Sequence, residues 1–132
     1  MGKTPNRASI LVVEDESIIA KDLKNRLRQM GYAVSQIAAT GEEAVSMAAS
    51  SAPDLVLMDI GLKGSIDGIE AARRIQQQFK IPVVFLSAYP RENALARGLL
   101  KGPVDYVGKP FYDDELHAIL NKHFSEAKKR RK

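Results

Sequence analysis

Asp54-Leu55-Val56-Leu57-Met58-Asp59 is the stretch that decides how this chain folds. The apolar run lies between Pro53 and Gly61 and ends in a carboxylate, and such a run between turn residues is typical of a strand buried on both faces. In open parallel α/β sheets, ligands bind beyond the carboxyl ends of the strands. We therefore predict that Asp59 is a reactive group at such an edge and that the rest of the fold serves it.

Four further apolar runs alternate with helical patterns along the chain. We predict strands at 9–13, 32–38, 82–87 and 104–107, in addition to the strand that ends at Asp59. Helical patterns follow each strand, which makes five helices. This alternation predicts an α/β fold, a doubly wound five-stranded parallel sheet with right-handed crossovers that place helices on both faces.

The predicted helices carry start, stop and packing signals. In the first helix, apolar residues from Ile18 to Met30 recur at spacings near 3.6 and predict its inner face, and Gly31 has the position of a C-cap glycine. Thr40 and Glu43 have the spacing of a capping box at the start of the second helix. The last helix, predicted over 113–127, has an inner stripe formed by Leu116, Ile119, Leu120 and Phe124.

Composition indicates one soluble globular domain. The chain has 132 residues, of which 45% are hydrophobic and 27% charged, and a chain of this length usually forms a single domain. The absence of cysteine excludes a disulfide framework, a thiolate nucleophile and cysteine-ligated zinc. No apolar run is long enough to cross a membrane and no signal peptide opens the chain, so we expect a cytoplasmic protein without membrane insertion.

The net charge of +4 originates at the C-terminal end of the chain. Residues 128–132 carry five positive charges, and without them the formal charge falls from +4 to −1. Such a run binds nucleic acid or an anionic surface in some proteins, but it is more often a solvated helix end or the start of a linker. We expect a flexible leader at 1–8, one folded domain at 9–126 and a basic tail or linker start at 127–132.

Polar side chains follow four of the predicted strands at one edge of the sheet. They are Glu14, Asp15, Asp59, Ser87 and Lys109. Three carboxylates this close repel one another unless a cation joins them, and oxygen ligands with room for water suit Mg²⁺. Asp59 would then be a nucleophile that takes a phosphoryl group as a mixed anhydride. The Lys109 ammonium and the Ser87 hydroxyl would stabilise the oxygens of that group.

Each of these residues also has an ordinary structural explanation. Asp15 can be no more than the N-cap of the first helix, a serine at a strand end is usually a turn residue, and a Lys-Pro pair usually lies at the surface. Their joint placement at one edge favours function over chance. His117 and His123 lie six positions apart on the last helix and face different directions, so they do not form a metal pair.

Taken together, these motifs resemble a response regulator receiver domain of two-component signalling. The matching motifs are Glu14-Asp15 after the first strand, Asp59 after the third, Ser87-Ala88 after the fourth, Tyr106 in the fifth, and Lys109-Pro110-Phe111 after it. The resemblance covers residues 9–124 and implies a flavodoxin-like (βα)₅ fold of strand order 2-1-3-4-5. It implies further that Asp59 accepts phosphate from a sensor histidine kinase or a phosphotransfer protein.

The resemblance implies a metal site built from three acids and one carbonyl. Asp15 and Asp59 would bind Mg²⁺ directly, and the backbone carbonyl of Gly61 would be a third protein ligand. Glu14 would act mainly through a metal-bound water.

The resemblance also implies a phosphate site and a switch. Ser87, with Ala88 beside it, and Lys109 would hold the phosphoryl group. Tyr106 would turn inward when Ser87 moves toward phosphate, and the Lys109–Pro110 bond would be cis. The signalling surface would be the face formed by the fourth helix, fifth strand and fifth helix, which would bind a downstream protein, a fused output domain or a second copy of the chain.

Several residues depart from the usual pattern of the family. The loop from Asp59 to Gly68 is about one residue longer than usual, and Gly98 and Pro103 weaken the predicted fourth helix, 91–100, and its exit. Gly61 and Tyr89 stand where the family controls the access of water to the phosphoryl group. Gly61 is small and Tyr89 is large, so their effects on water access oppose each other and the sequence does not predict the lifetime of an acyl phosphate.

Two other functions compete with a phosphoryl-accepting switch. A phosphatase or phosphotransferase of the haloacid dehalogenase type also uses a strand-terminal aspartate with Mg²⁺, but it carries a second acid two residues later, where this chain has Gly61. We therefore expect a stable acyl phosphate and no multiple-turnover enzyme. Nucleic-acid binding through the tail lacks a recognition helix or an aromatic platform, so we do not expect it of this domain.

Overall fold

The strands and helices alternate along the chain as the sequence predicts. The computed structural model describes residues 7–62, 64–87, 105–110 and 112–131, with side chains of the last segment described to residue 125. The elements within these ranges are β1 (Ser9–Val13), α1 (Ser17–Gln29), β2 (Ala33–Ala38), α2 (Gly41–Ser51), β3 (Leu55–Asp59), α3 (Gly68–Phe79), β4 (Val83–Ser87), β5 (Asp105–Gly108) and the C-terminal helix (Asp113–Arg131). The predicted fourth helix lies outside these ranges, as do Ala88, Tyr89, Gly98, Pro103 and Phe111.

All five strands form one parallel sheet in the order β2-β1-β3-β4-β5. This is the 2-1-3-4-5 order that the resemblance implied, and the doubly wound fold is confirmed. Two apolar clusters cover the sheet, one built with side chains of α2 and α3 and the other with side chains of α1 and the C-terminal helix. The strand ends that carry the polar residues therefore share one edge between the two layers.

The central strand β3 is buried along its whole length. Val56 and Met58 belong to the cluster under α2 and α3, whereas Leu55 and Leu57 belong to the opposite cluster. Because neighbouring residues of a strand point to opposite faces, a strand covered on both sides needs apolar residues at every position. The unbroken apolar run that precedes Asp59 is the result.

One packing prediction for α1 is wrong. The buried residues of α1 are Ala20, Leu23 and Leu27, whereas Ile18 is 83% exposed. Ile18 precedes Ala20 by two residues, which places it about 200° around the helix from the inner face. The stripe Leu116, Ile119, Leu120 and Phe124 of the C-terminal helix does pack against the core as predicted.

Side chains cap the first turns of α2 and α3. Thr40 Oγ1 accepts a hydrogen bond from the Glu43 N–H at 3.1 Å, as the capping box predicted. In the reciprocal bond, Glu43 Oε1 accepts from the Ala39 N–H at 2.8 Å, one residue earlier than the usual partner. Asp67 caps α3 by accepting from the Glu70 N–H at 2.8 Å. These caps fix where the two helices start relative to the sheet edge.

Some element boundaries differ from the predicted ones. β2 contains a bulge, because Ile10 pairs with Val34 and Leu11 with Gln36, so Ser35 has no partner on β1. The C-terminal helix continues to Arg131, beyond the predicted end at 127.

None of the helices in the described ranges combines the length and hydropathy that crossing a bilayer requires.

Candidate functional site

Three carboxylates gather where β1 and β3 end. Glu14 follows β1, Asp15 comes next, and Asp59 is the last residue of β3. One carboxylate oxygen from each lies within 4.8 Å of the others. Glu14 and Asp59 are buried, with 2% and 7% of their surfaces exposed, whereas Asp15 is exposed. Two of the three carboxyl groups therefore lie in the protein interior, where repulsion between their charged forms is strong.

Lys109 brings a positive charge into this cluster. Its Nζ lies 3.2 Å from Asp59 Oδ1 and 3.5 Å from Glu14 Oε1. The backbone places it there, because the Lys109 N–H donates to the Ser87 carbonyl oxygen at 3.0 Å and extends the pairing of β4 with β5. The predicted convergence of Lys109 with the acids is confirmed.

The electrostatics of the cluster differ between its members. The pKa of Glu14 is raised from its ordinary value of 4.5 to about 7, mainly by burial and also by the nearby Asp59 carboxylate, against the opposing effects of the Glu16 N–H and Lys109. Burial alone would lower the pKa of Lys109, but the Asp59 and Glu14 carboxylates outweigh burial and raise it. Lys109 therefore remains an ammonium at neutral pH.

Ser87 ends β4 beside this cluster and is 4% exposed. Strand pairing places Leu86 opposite Asp59, and the Ile60 N–H donates to the Leu86 carbonyl oxygen at 3.1 Å. On its other side, Ser87 pairs with Gly108 of β5. The serine thus lies between the strands that carry Asp59 and Lys109. Its predicted neighbours Ala88 and Tyr89 are outside the described residues.

The loop after β3 contacts the Asp59 carboxylate through its backbone. The Gly61 N–H donates to Asp59 Oδ1 at 3.0 Å, so this oxygen accepts hydrogen bonds from both Gly61 and Lys109. A Cβ built on Gly61 would lie 3.7 Å from the same oxygen, an ordinary contact distance. Position 61 therefore lies directly against the Asp59 carboxylate.

Tyr106 lies on β5 and packs against the core layer that contains α2 and α3. Its ring stacks on Phe85 of β4, with ring centroids 6.1 Å apart and planes inclined by 23°. Two residues farther along β5, the chain reaches Gly108 and then Lys109. The Lys109–Pro110 peptide bond is cis, as the resemblance implied.

The donor set fits a hard divalent cation. Glu14 Oε1 is buried and accepts no hydrogen bond from any residue that the structure describes. Its nearest positive partner in those ranges is the Lys109 ammonium at 3.5 Å. Three convergent carboxylates, one of them with an oxygen left unsatisfied, offer the oxygen ligands that Mg²⁺ prefers.

Two features of this region escaped the sequence analysis or contradict it. The N-cap of α1 is Glu16, without a side-chain cap bond, so the interpretation of Asp15 as the N-cap is wrong. Instead, Glu14 Oε2 accepts from the Glu16 N–H at 3.1 Å. Asp67, the cap of α3, was not predicted, although Asp67 and Glu70 have capping-box spacing.

A second missed contact joins β5 to the C-terminal helix. His123 Nε2 lies 2.7 Å from Asp105 Oδ2, and Lys122 Nζ lies 3.7 Å from Asp105 Oδ1. Asp105 immediately precedes Tyr106. Asp105 and His123 are 18 positions apart on different elements, and no sequence pattern predicts such a contact.

The fold and its acidic edge define an α/β domain with three carboxylates and a lysine at the carboxyl ends of its strands. Residues 10–121 match the family described as the response regulator receiver domain. The match covers most of the chain, and the chain belongs to this family.

Solved structures of similar proteins agree with this assignment. The signal receiver domain of a modulated diguanylate cyclase from Desulfovibrio desulfuricans G20 is 31% identical, with a TM-score of 0.84 over 95% of this chain and 99% of the other. The N-terminal domain of a response regulator/sensory box/GGDEF three-domain protein from Carboxydothermus hydrogenoformans is 35% identical, with a TM-score of 0.77 over 94% and 99%.

A third similar structure is a longer protein. The anti-anti-sigma factor PhyR from Bartonella quintana is 32% identical, with a TM-score of 0.78. The alignment covers 95% of this chain but 50% of PhyR. Receiver domains of this type thus occur alone in some structures and beside other segments in others.

Proposed function

We propose that this receiver domain accepts a phosphoryl group on Asp59 from a phosphohistidine of a sensor histidine kinase or a phosphotransfer protein. The observation that carries the proposal is the Lys109 ammonium, 3.2 Å from Asp59 Oδ1 within a cluster of three acids. A cation fixed beside a strand-terminal carboxylate is suited to stabilising a transferred phosphoryl group. Because kinases draw on cytoplasmic ATP, a cytoplasmic location is part of the proposal.

The chemical step is a nucleophilic displacement at phosphorus. An Asp59 carboxylate oxygen forms a bond to phosphorus while the P–N bond of the phosphohistidine breaks. The nitrogen keeps the bonding electron pair and leaves as neutral imidazole when the other ring nitrogen carries a proton. The Gly61 N–H holds Asp59 Oδ1 at 3.0 Å and restrains the carboxylate for this attack.

Glu14, Asp15, Asp59 and the Gly61 carbonyl would hold Mg²⁺, which when bound would offset the negative charge of the phosphoryl oxygens. Lys109 and the Ser87 hydroxyl are the proposed partners of those oxygens, with the backbone of Ala88 as a further one. Burial of Glu14 and Asp59 strengthens these interactions, because few water molecules screen them.

The proposed output is a shift between two arrangements of the β4–β5 region. Ser87 and Lys109 are joined through their backbones, so a change at one strand end reaches the other. Tyr106 stacks on Phe85 of β4 and is the proposed reporter of that change. The surface formed by β5, the C-terminal helix and the predicted fourth helix would then bind a downstream protein, a fused output domain or a second copy.

The site supports one phosphorylation event in preference to multiple turnover. Position 61, two residues after the proposed nucleophile, is a glycine whose contact with Asp59 is a backbone N–H. A glycine has no side chain to act as a general acid or base for repeated hydrolysis. Access of water past Gly61 and Tyr89 would set the lifetime of the acyl phosphate.

Intact-mass spectrometry tests this function. We expect wild type incubated with Mg²⁺ and acetyl phosphate to gain one phosphate, and Asp59→Asn to gain none. Chelation of the metal should also prevent the addition. Repeated turnover of a phosphate ester would instead support the dehalogenase-type alternative and contradict the switch.

Asp54→Asn is a matched control for this experiment. Asp54 precedes the same strand at its opposite end, where its Oδ2 accepts a hydrogen bond from the Ser9 N–H at 2.8 Å. The Asp54→Asn variant should gain one phosphate, as wild type does. Phosphorylation that survives in Asp59→Asn, or disappears equally in Asp54→Asn, would overturn the assignment of Asp59.

A further inference from the structure

A close contact joins the start of α2 to the loop that follows Asp59. Gly41, the first residue of α2, is buried against Ile66 of that loop. A Cβ added to Gly41 would lie 2.7 Å from Ile66 Cγ1 and 3.0 Å from the Ile66 carbonyl oxygen. The Cγ1 distance is shorter than real Cβ atoms show, so the Ile66 side chain would have to shift, whereas the carbonyl oxygen would have to give by only a few tenths of an ångström. A side chain at position 41 would therefore push Ile66 away from α2.

A second glycine contact passes such a displacement to Asp59. Gly68, the first residue of α3, packs against the Asp59 carbonyl oxygen, and a Cβ there would lie 3.0 Å from Ile60 Cα. Gly68 follows Ile66 by two residues, and Asp67 between them caps α3. The backbone of Asp59 and the loop segment at Ile66 thus form one packed unit.

The loop is also anchored between these two contacts. Leu62 is 5% exposed and belongs to the same apolar cluster that Ile66 packs against. Just before it, the Gly61 N–H donates to Asp59 Oδ1. The described loop residues thus contact the core through Leu62 and α2 through Ile66, so a shift at Ile66 acts on packed neighbours.

We propose that Gly41 is a positioning residue for the phosphoacceptor site, although it lies on a different helix and does not touch Asp59. Its missing side chain lets Ile66 pack against α2 and thereby sets the path of the loop that bears Gly61. This inference rests on the proposed function of Asp59 and adds a residue of α2 to those that position the phosphoacceptor site.

The helix itself does not need a glycine at this position. Alanine is the better helix former and fits the first turn of α2, where Thr40 already supplies the cap. A loss of function in Gly41→Ala would therefore come from the contact with Ile66. Replacing Ile66 by alanine removes Cγ1, the atom nearest the added methyl group, together with Cδ1, and leaves only the carbonyl oxygen at 3.0 Å, which provides a rescue test.

The experiment compares wild type, Gly41→Ala, Ile66→Ala and the double variant. We expect the acetyl phosphate reaction and the affinity for Mg²⁺ to fall about tenfold in Gly41→Ala, the scale of changes in the surroundings of metal ligands. Ile66→Ala should stay close to wild type, and the double variant should recover most of the loss. The Gly61 amide resonance should shift in Gly41→Ala and return in the double variant.

The outcomes separate this inference from the proposed function. If wild type itself is not phosphorylated, the proposed function fails. If wild type is phosphorylated and Gly41→Ala matches it in rate, Mg²⁺ affinity and Gly61 resonance, the positioning role is overturned. A folded double variant that remains as slow as Gly41→Ala also overturns it. Should Gly41→Ala not fold, Ile66→Phe crowds the same contact from the loop side and must slow the reaction.

Discussion

The Lys109 ammonium lies 3.2 Å from Asp59 Oδ1, although 50 positions separate the two residues along the chain. The parallel sheet makes this contact possible, because β3 and β5 end on the same side and β4 lies between them. Lys109 also lies 3.5 Å from Glu14 Oε1, so one ammonium serves two buried carboxylates. Removal of this charge should therefore destabilise the metal-free protein, and bound Mg²⁺ should offset part of the loss.

Lys109→Met should lower the free energy of unfolding of the metal-free protein by about 1–3 kcal/mol. The loss of a partner leaves buried carboxylates uncompensated, while the 25% exposure of the Lys109 side chain reduces the effect through solvent screening. Urea denaturation with EDTA measures the difference, with Lys109→Arg as the charge-retaining control. Saturating Mg²⁺ should shrink the deficit, and an equal deficit with and without Mg²⁺ would contradict the cation site.

Glu14 should make the stability of the metal-free protein depend on pH. Its pKa is raised in the folded state to about 7 from 4.5, so the folded protein binds more protons than the unfolded chain between these values. Stability relative to Glu14→Gln should therefore fall as pH rises from 4.5 to 7 and level off above 7, by on the order of 3 kcal/mol. Denaturation of both proteins in EDTA across this range measures the difference. A difference that grows in favour of wild type at high pH would refute the shift.

Binding of Mg²⁺ should release protons near pH 6.5. A carboxyl with a pKa of about 7 is largely protonated at this pH, and a metal ligand or a group hydrogen-bonded to metal-bound water must be deprotonated. Calorimetric titration in two buffers of different ionisation enthalpy gives the number of protons released. Glu14→Gln should release fewer, and identical heats in both buffers for wild type would show that Glu14 is not linked to the metal.

Ala52→Gly should stabilise the domain by about 0.5–1 kcal/mol. Ala52 ends α2 with a φ of 46° and a ψ of 61°, in the left-handed region that glycine adopts without steric cost. Ala49→Gly is the matched control, because Ala49 is an exposed residue inside the same helix. The control should be destabilised by a similar amount. Thermal denaturation of the pair tests the sign, and destabilisation by both changes would exclude a special role for the cap.

The pattern of apolar residues predicted most of this architecture. Because β3 and β4 are buried on both faces, they are apolar at nearly every position and are easily recognised in the sequence. The same pattern misplaced Ile18, since a local count of apolar residues does not show which side of a helix faces the sheet. The contact between Asp105 and His123 depends on how the C-terminal helix lies against β5. The same holds for the fit of Gly41 against Ile66, which only the packed loop determines.

The site was predictable in its membership but not in its energetics. Strand ends with Glu14, Asp59 and Lys109 are visible in the sequence, and the alternation of elements places them at one edge. The raised pKa of Glu14 depends on its burial, which a residue letter does not reveal. The N-cap position of α1, which is Glu16 and not Asp15, likewise depends on backbone conformation that the residue letters do not reveal.

The β-bulge at Ser35 affects whether copies of this domain can associate through the edge of the sheet. β2 is an outermost strand, and a regular outer strand exposes a continuous row of amide and carbonyl groups that can recruit another polypeptide. The extra residue interrupts the even spacing of that row and bends the strand. An incoming polypeptide therefore meets a broken template, which opposes fibre-like growth from this side even in concentrated solution.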